Sequence, residues 1–135
     1  MKYAMREYNG KNVDLDKLEQ SILDFFKEEG FKTQSAKHPN GTVIQAKKGG
    51  VFRTILAMDR SFTLLIEGSS SDFKIKIGVG KWLQDLGVAA LEMFFLSPMI
   101  AFVEVPESLW SYEIEHQIWH FIETQIELGL STTPP

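Results

Sequence analysis

The chain has 135 residues, 44% of them apolar, 24% charged and none of them cysteine, with a formal net charge of −4. That length supports one domain with a core of its own, and the composition argues against disorder. Without cysteine the chain excludes disulfides, thiolate zinc sites, iron–sulfur clusters and a cysteine nucleophile. The expected compartment is the cytoplasm.

The charge is unevenly laid out. All 14 Lys and Arg residues lie at or before Lys81, whereas residues 82–135 hold 8 acidic residues and no basic one. Residues 31–81 hold 9 basic and 3 acidic residues. This asymmetry predicts that the basic middle and the acidic end face each other, within a subunit or between subunits.

In chain order, the first residues show no apolar segment of the secretory kind, so no signal peptide is expected. Residues 2–8 fit a short edge strand before the Asn9-Gly10 turn signal. Leu15, Leu18, Ile22, Phe25 and Phe26 then recur at helical spacing. With Asp14 as N-cap and Gly30 just past the end, they predict an amphipathic helix over 14–29.

From Phe31 the period becomes two. Strands are predicted at 31–35 and 42–48 around His38-Pro39-Asn40-Gly41, then at 51–58, 61–67 and 73–79. Short connections join antiparallel neighbours, so these form a meander of four to five strands. Alternation puts Phe73, Ile75, Ile77 and Val79 on one face with Phe62, Leu64 and Ile66. Gln45, Lys47, Thr63, Lys74 and Lys76 fall on the other, which reads as polar and solvated. Only the 51–58 strand departs from this pattern, because Arg53 sits among apolar residues of both faces.

Gly78-Val79-Gly80 reads as the turn leaving the last strand, into a helix over 82–97 that is apolar nearly all round and ends at Pro98. Pro106 suits the start of a final helix over 107–128, stopped by Gly129. Its polar face carries Glu113, His116, His120, Glu123 and Glu127. The expected fold is α+β: a single domain over 1–130 with a flexible tail over 131–135, and one N-terminal and two C-terminal helices packed on one face of the antiparallel sheet.

Candidate sites follow from this layout. The apolar run 86–103 is 18 residues long, the lower edge of a membrane span, but Glu92 and Pro98 interrupt it. Burial as a core helix is favoured over an interface or membrane contact. A cavity between sheet and helix would be lined by Phe26, Phe73, Ile77, Trp82, Phe94 and Phe95 and would take a small apolar ligand or lipid. Lys47, Lys74, Lys76 and Lys81 form a candidate surface for anions or anionic membranes. The glycines of 78–81 offer backbone N–H groups for an anion, although a tight turn explains them equally. His116 and His120, at i and i+4, have the spacing of two metal ligands. No HExxH or second ExxH motif completes a site, and the expected reading is a solvated face without metal. The basic face has no aromatic residues for base stacking, so no nucleic-acid partner is expected. No nucleophile–base motif appears, so no enzyme and no cofactor are expected.

The run VIQAKKGGVFRTILAMDRSFTLLIE followed by FKIKIGVGKW resembles a small family of prokaryotic α+β domains with an IQA[KR]K…R…G…KW pattern and no assigned activity. The matching residues are Ile44, Gln45, Ala46, Lys47, Lys48, Arg53, Gly78, Lys81 and Trp82, and the resemblance spans roughly residues 15–102. The chain departs from the pattern in the bulky Met93, Phe94 and Phe95 and in lacking a zinc ribbon. The resemblance implies the fold and leaves function open. The expected function is a non-enzymatic interaction module that self-associates through the 82–103 helix or the last helix. Apolar-ligand binding and membrane-surface association are the alternatives.

Overall fold

A computed structural model describes residues 2–47, 60–108, 110 and 112–128. The predicted strand at 51–58, with Arg53, and the tail at 131–135 lie outside the described residues.

The elements run β1 (Tyr3–Asn9), α1 (Leu15–Glu28), β2 (Lys32–His38), β3 (Gly41–Lys47), β4 (Arg60–Gly68), β5 (Asp72–Lys81), α2 (Val88–Leu96), α3 (Pro98–Ala101) and α4 (Tyr112–Glu127). The five strands form one antiparallel sheet in the order β1-β5-β4-β3-β2. The meander and the α+β class are therefore as expected, with β1 added beside β5 from Tyr3↔Gly78 to Asn9↔Asp72.

Helix α1 forms where its signals lie. The Asp14 carboxylate accepts from the N–H groups of Asp16 and Lys17 at 3.0 and 3.2 Å, satisfying two otherwise unpaired donors. Beyond the helix, Gly30 adopts a left-handed φ of 87°, open to glycine without steric cost. The Phe31 N–H then closes onto the Phe26 carbonyl at 2.9 Å. Leu18, Ile22, Leu23 and Phe26 face inward.

The helices cover both faces of the sheet, not one. α1 and α4 pack on Ile44, Phe62, Leu64, Ile66, Phe73, Ile75, Ile77 and Val79, completing the larger core. α2 and α3 lie on the opposite face, where Leu91, Phe94 and Phe102 pack with Val43 and Leu65. That face looks polar in sequence because Gln45, Thr63 and Ser61 lie on it, yet all three are fully buried. Their polar groups bond to one another and to the backbone, so an apolar layer can lie over them.

Gly78 and Gly80 are strand residues inside β5, not a turn. A Cβ on Gly78 would stand 2.5 Å from Phe102 Cδ1, and one on Gly80 would stand 2.7 Å from Phe94 Cε1. The two glycines make room for the two rings, which meet each other edge-on with centroids 5.5 Å apart. Glycine in a strand interior is otherwise a local weakness, and close approach of another group is its usual reason.

The run after Lys81 is not one helix either. Residues 82–87 are irregular, α2 spans nine residues, and Ser97 separates it from the four-residue α3. No helix among the described residues is long and apolar enough to cross a membrane. From α3 the chain returns to β5, where the Val103 N–H bonds the Val79 carbonyl at 2.7 Å. It then crosses to the larger core with Val105 and Trp110.

Candidate functional site

The hairpin of α2 and α3 has an inner and an outer side. Leu91 and Phe94 point into the smaller core. Outside, Val88 (50%), Met93 (46%), Leu96 (65%), Met99 (58%) and Ile100 (72%) stand exposed. Scattered exposed apolar residues are ordinary, but five on one short hairpin form a concentrated apolar ridge, the kind of surface often used for interaction. Glu92 is the one ionisable residue in 88–101.

Glu92 reaches back toward His38 at the β2–β3 hairpin. The His38 ring is buried and stacks on Phe95 with centroids 4.7 Å apart. Its Nδ1 accepts from the Asn40 N–H at 3.0 Å. That contact leaves the proton on Nε2, which faces Glu92 Oε1 at 3.5 Å without forming a hydrogen bond. In sequence His38 signals only a turn; no local pattern places Glu92 and Phe95 over it.

A polar seam fixes the start of this unit. Gln45 Oε1 accepts from Gln34 Nε2 at 2.8 Å and from the Leu83 N–H at 3.0 Å. Its Nε2 donates to the Lys81 carbonyl at 2.7 Å and to Thr63 Oγ1 at 3.2 Å. One buried amide thereby holds the chain on both sides of Trp82. The Trp82 ring is buried as well, with Lys32 and Lys47 Nζ at 5.7 and 5.6 Å from its centroid, within cation–π range.

The six residues expected to line one cavity are divided by the sheet. Phe26, Phe73 and Ile77 lie in the larger core under α1 and α4, whereas Trp82, Phe94 and Phe95 lie on the α2 side. Because alternate residues of β5 face opposite ways, Ile77 and the Phe94 pocket at Gly80 fall on different sides. Open clefts lie elsewhere on the surface. One of about 260 Å³ lies beside Glu7, Glu67 and Lys74 and touches Phe73. Another of about 420 Å³ lies between Leu15, Lys37 and the β2–β3 turn.

The four expected anion-site lysines also separate. Lys74 and Lys76 both contact Glu67, at 3.5 and 3.4 Å, and Lys76 is buried with its Nζ 5.5 Å from the Tyr3 ring centroid. Lys47 and Lys81 sit at the far end of the sheet. Since α2 begins only at Val88, the 78–81 glycines do not open a helix, and the anion reading that needed a helix start there fails.

His116 and His120 lie exposed on α4, and no group of three metal-ligating side chains assembles among the described residues. Glu123, a neighbour of His120 on the helix, is taken up by other partners. It receives Arg6 Nη1 at 2.6 Å and Tyr8 Oη at 2.9 Å, tying α4 to β1. Glu115 accepts from the indole N–H groups of Trp110 and Trp119 at 2.7 and 3.1 Å.

Partial burial pushes the Glu123 carboxyl up, but hydrogen bonds from Arg6 and Tyr8, with the guanidinium charge, outweigh it and hold the carboxyl below its ordinary value. A depressed folded-state value means that the contact stabilises the fold above the ordinary carboxylate pKa and is lost as pH falls through the depressed one. The side chains are 46% and 40% exposed. After discounting for solvent screening, Glu123→Gln is expected to cost about 0.5 kcal/mol near neutral pH. Thermal melts in acid, at about pH 2, should show variant and wild type converging. A gap that persists unchanged in acid would refute the electrostatic origin.

The fold and its exposed ridge define a small α+β domain with helical layers on both faces of one antiparallel sheet. No protein-family model, curated protein or solved structure matches the chain.

Proposed function

We propose that the protein is a non-enzymatic interaction module of the cytoplasm that pairs with a second copy of itself through the α2–α3 ridge. The observation that carries this reading is the concentration of five exposed large apolar side chains on one hairpin with a single carboxylate. A two-fold interface sets the same patch against itself, and a nearly uncharged ridge does so with little charge desolvation. The carboxylate-rich α1 and α4 lie across the sheet, so the acidic net charge does not gather where the copies would meet. The ridge suits the apolar centre of an interface whose rim is polar.

The test is light scattering on the wild type and on the double variant Leu96→Glu/Ile100→Glu. The wild type should run as a dimer with a melting temperature that rises with concentration, and the variant as a monomer that keeps the wild-type circular-dichroism spectrum, because both positions are solvent-exposed in the single chain. A wild type that stays monomeric at high concentration would sink the reading. An anionic lipid surface is the competing occupant, and pelleting of a monomeric wild type with phosphatidylserine vesicles would favour it.

A further inference from the structure

The strand register brings together four cations that lie far apart in sequence. β2 begins at Lys32, β3 ends at Lys47, β4 begins at Arg60 and β5 ends at Lys81. In the sheet order these are one end of four consecutive strands. Lys32 stands directly opposite Lys47, and Arg60 directly opposite Lys81. Strands lie about 4.8 Å apart, so the row is about 14 Å wide.

Like charges directly opposite each other destabilise a sheet, and here two such pairs occur in one row. The other cations on the strands are matched: Arg6 with Glu123, Lys37 with Asp16 and Glu19, Lys74 and Lys76 with Glu67. No carboxylate among the described residues forms an ion pair with any of the four. The row is also organised. Lys32 and Lys47 both lie over the buried Trp82 ring, and that ring is pinned by the bonds Gln45 makes to the residues on either side of it. Side-chain freedom that an anion would otherwise have to remove is thus partly removed in advance. Alternation directs Lys32 and Lys47 toward the α2 face and Arg60 and Lys81 toward the α1 face, so the two pairs rim opposite faces of the same end of the sheet.

We infer that this end of the sheet binds clustered phosphate groups, with Lys32, Lys47, Arg60 and Lys81 as the charge and Trp82 as the platform that orders two of them. The ligand chemistry is several phosphoryl oxygens within about 14 Å, as in a free polyphosphate or a row of lipid headgroups. The inference does not depend on the pairing of α2–α3 ridges.

The test titrates the wild type with inorganic tripolyphosphate against sodium chloride of equal ionic strength, following the three indole N–H signals by NMR. Trp82 should shift at saturation, while Trp110 and Trp119, which lie under α4 in the larger core, should not. Lys32→Gln/Lys81→Gln, both exposed, should weaken binding about tenfold or more. Lys17→Gln/Lys27→Gln on α1 should leave it unchanged. Sedimentation with phosphatidylserine vesicles, compared with phosphatidylcholine alone and run on wild type and Lys32→Gln/Lys81→Gln, assigns the source: vesicle binding that this variant loses, without binding to tripolyphosphate, means headgroups at this end of the sheet, and binding to tripolyphosphate alone means a soluble polyphosphate. Absence of binding to both at low salt, or equal loss in the two double variants, overturns the proposal.

Discussion

Replacing Gly78 by valine is expected to destabilise the fold by about 3 kcal/mol and to lower the melting temperature by about 10 °C. The new Cβ alone would come within 2.6 Å of the Lys2 carbonyl oxygen as well as 2.5 Å of Phe102. Phe102 cannot yield, because it is fully buried and packed between Tyr3, at 5.2 Å between ring centroids, and Phe94. The backbone of Lys2 cannot yield without breaking the pairing of Tyr3 with Gly78. Taken as a turn residue, Gly78 would tolerate substitution at little cost; as the floor under an aromatic ring it cannot. Thermal unfolding followed by circular dichroism decides, and a drop of less than about 3 °C would reject the close-packing account.

Gln45→Leu is the second large effect. Leucine of similar volume removes four hydrogen bonds and strands the Leu83 N–H and the Lys81 carbonyl in a covered site. An unpaired buried polar group costs about 1–3 kcal/mol, so a total near 3 kcal/mol is expected despite the more apolar side chain. The damage should be local first. Hydrogen exchange at Leu83 and through α2 should accelerate more than in α1, whose contacts are on the other face. Urea unfolding of the leucine variant with a midpoint equal to the wild type would show that the seam contributes nothing.

What the sequence made legible was local. Asp14, Gly30 and the spacing of Leu18, Ile22 and Phe26 define α1 because caps and periodicity act within a few residues. Strict alternation in β5, with the matching Phe62, Leu64 and Ile66 of β4, assigns the larger core for the same reason. The smaller core was not legible. Gly78 and Gly80 are explained only by Phe102 and Phe94, and Gln45 only by backbone groups near residue 82. The charge asymmetry was visible, but its expected consequence is not carried by the ion pairs among the described residues. Lys37, Lys74 and Lys76 pair with Asp16, Glu19 and Glu67, carboxylates that precede Lys81. Among the described residues the acidic end reaches a cation through Glu123 and Arg6, and Arg6 lies outside the basic middle. Of the candidate surfaces, the apolar run itself was legible, but not which of its side chains would be left outside.

The pairing of β1 with β5 also bears on how the molecule is made. Tyr3–Asn9 is translated before its partner Asp72–Lys81, and Tyr3 meets Gly78 across most of the sheet's sequence. The clasp that holds it from the other side, Glu123, comes later still. The earliest-made strand therefore waits for contacts of high sequence separation, whose loop-closure cost slows folding. Until they form, β5 is an open edge, so a nascent chain ending before α4 passes through a state with an unpaired strand and its aggregation risk. Lys2, Arg6 and Lys11 keep that waiting segment soluble and resistant to pairing with its own kind.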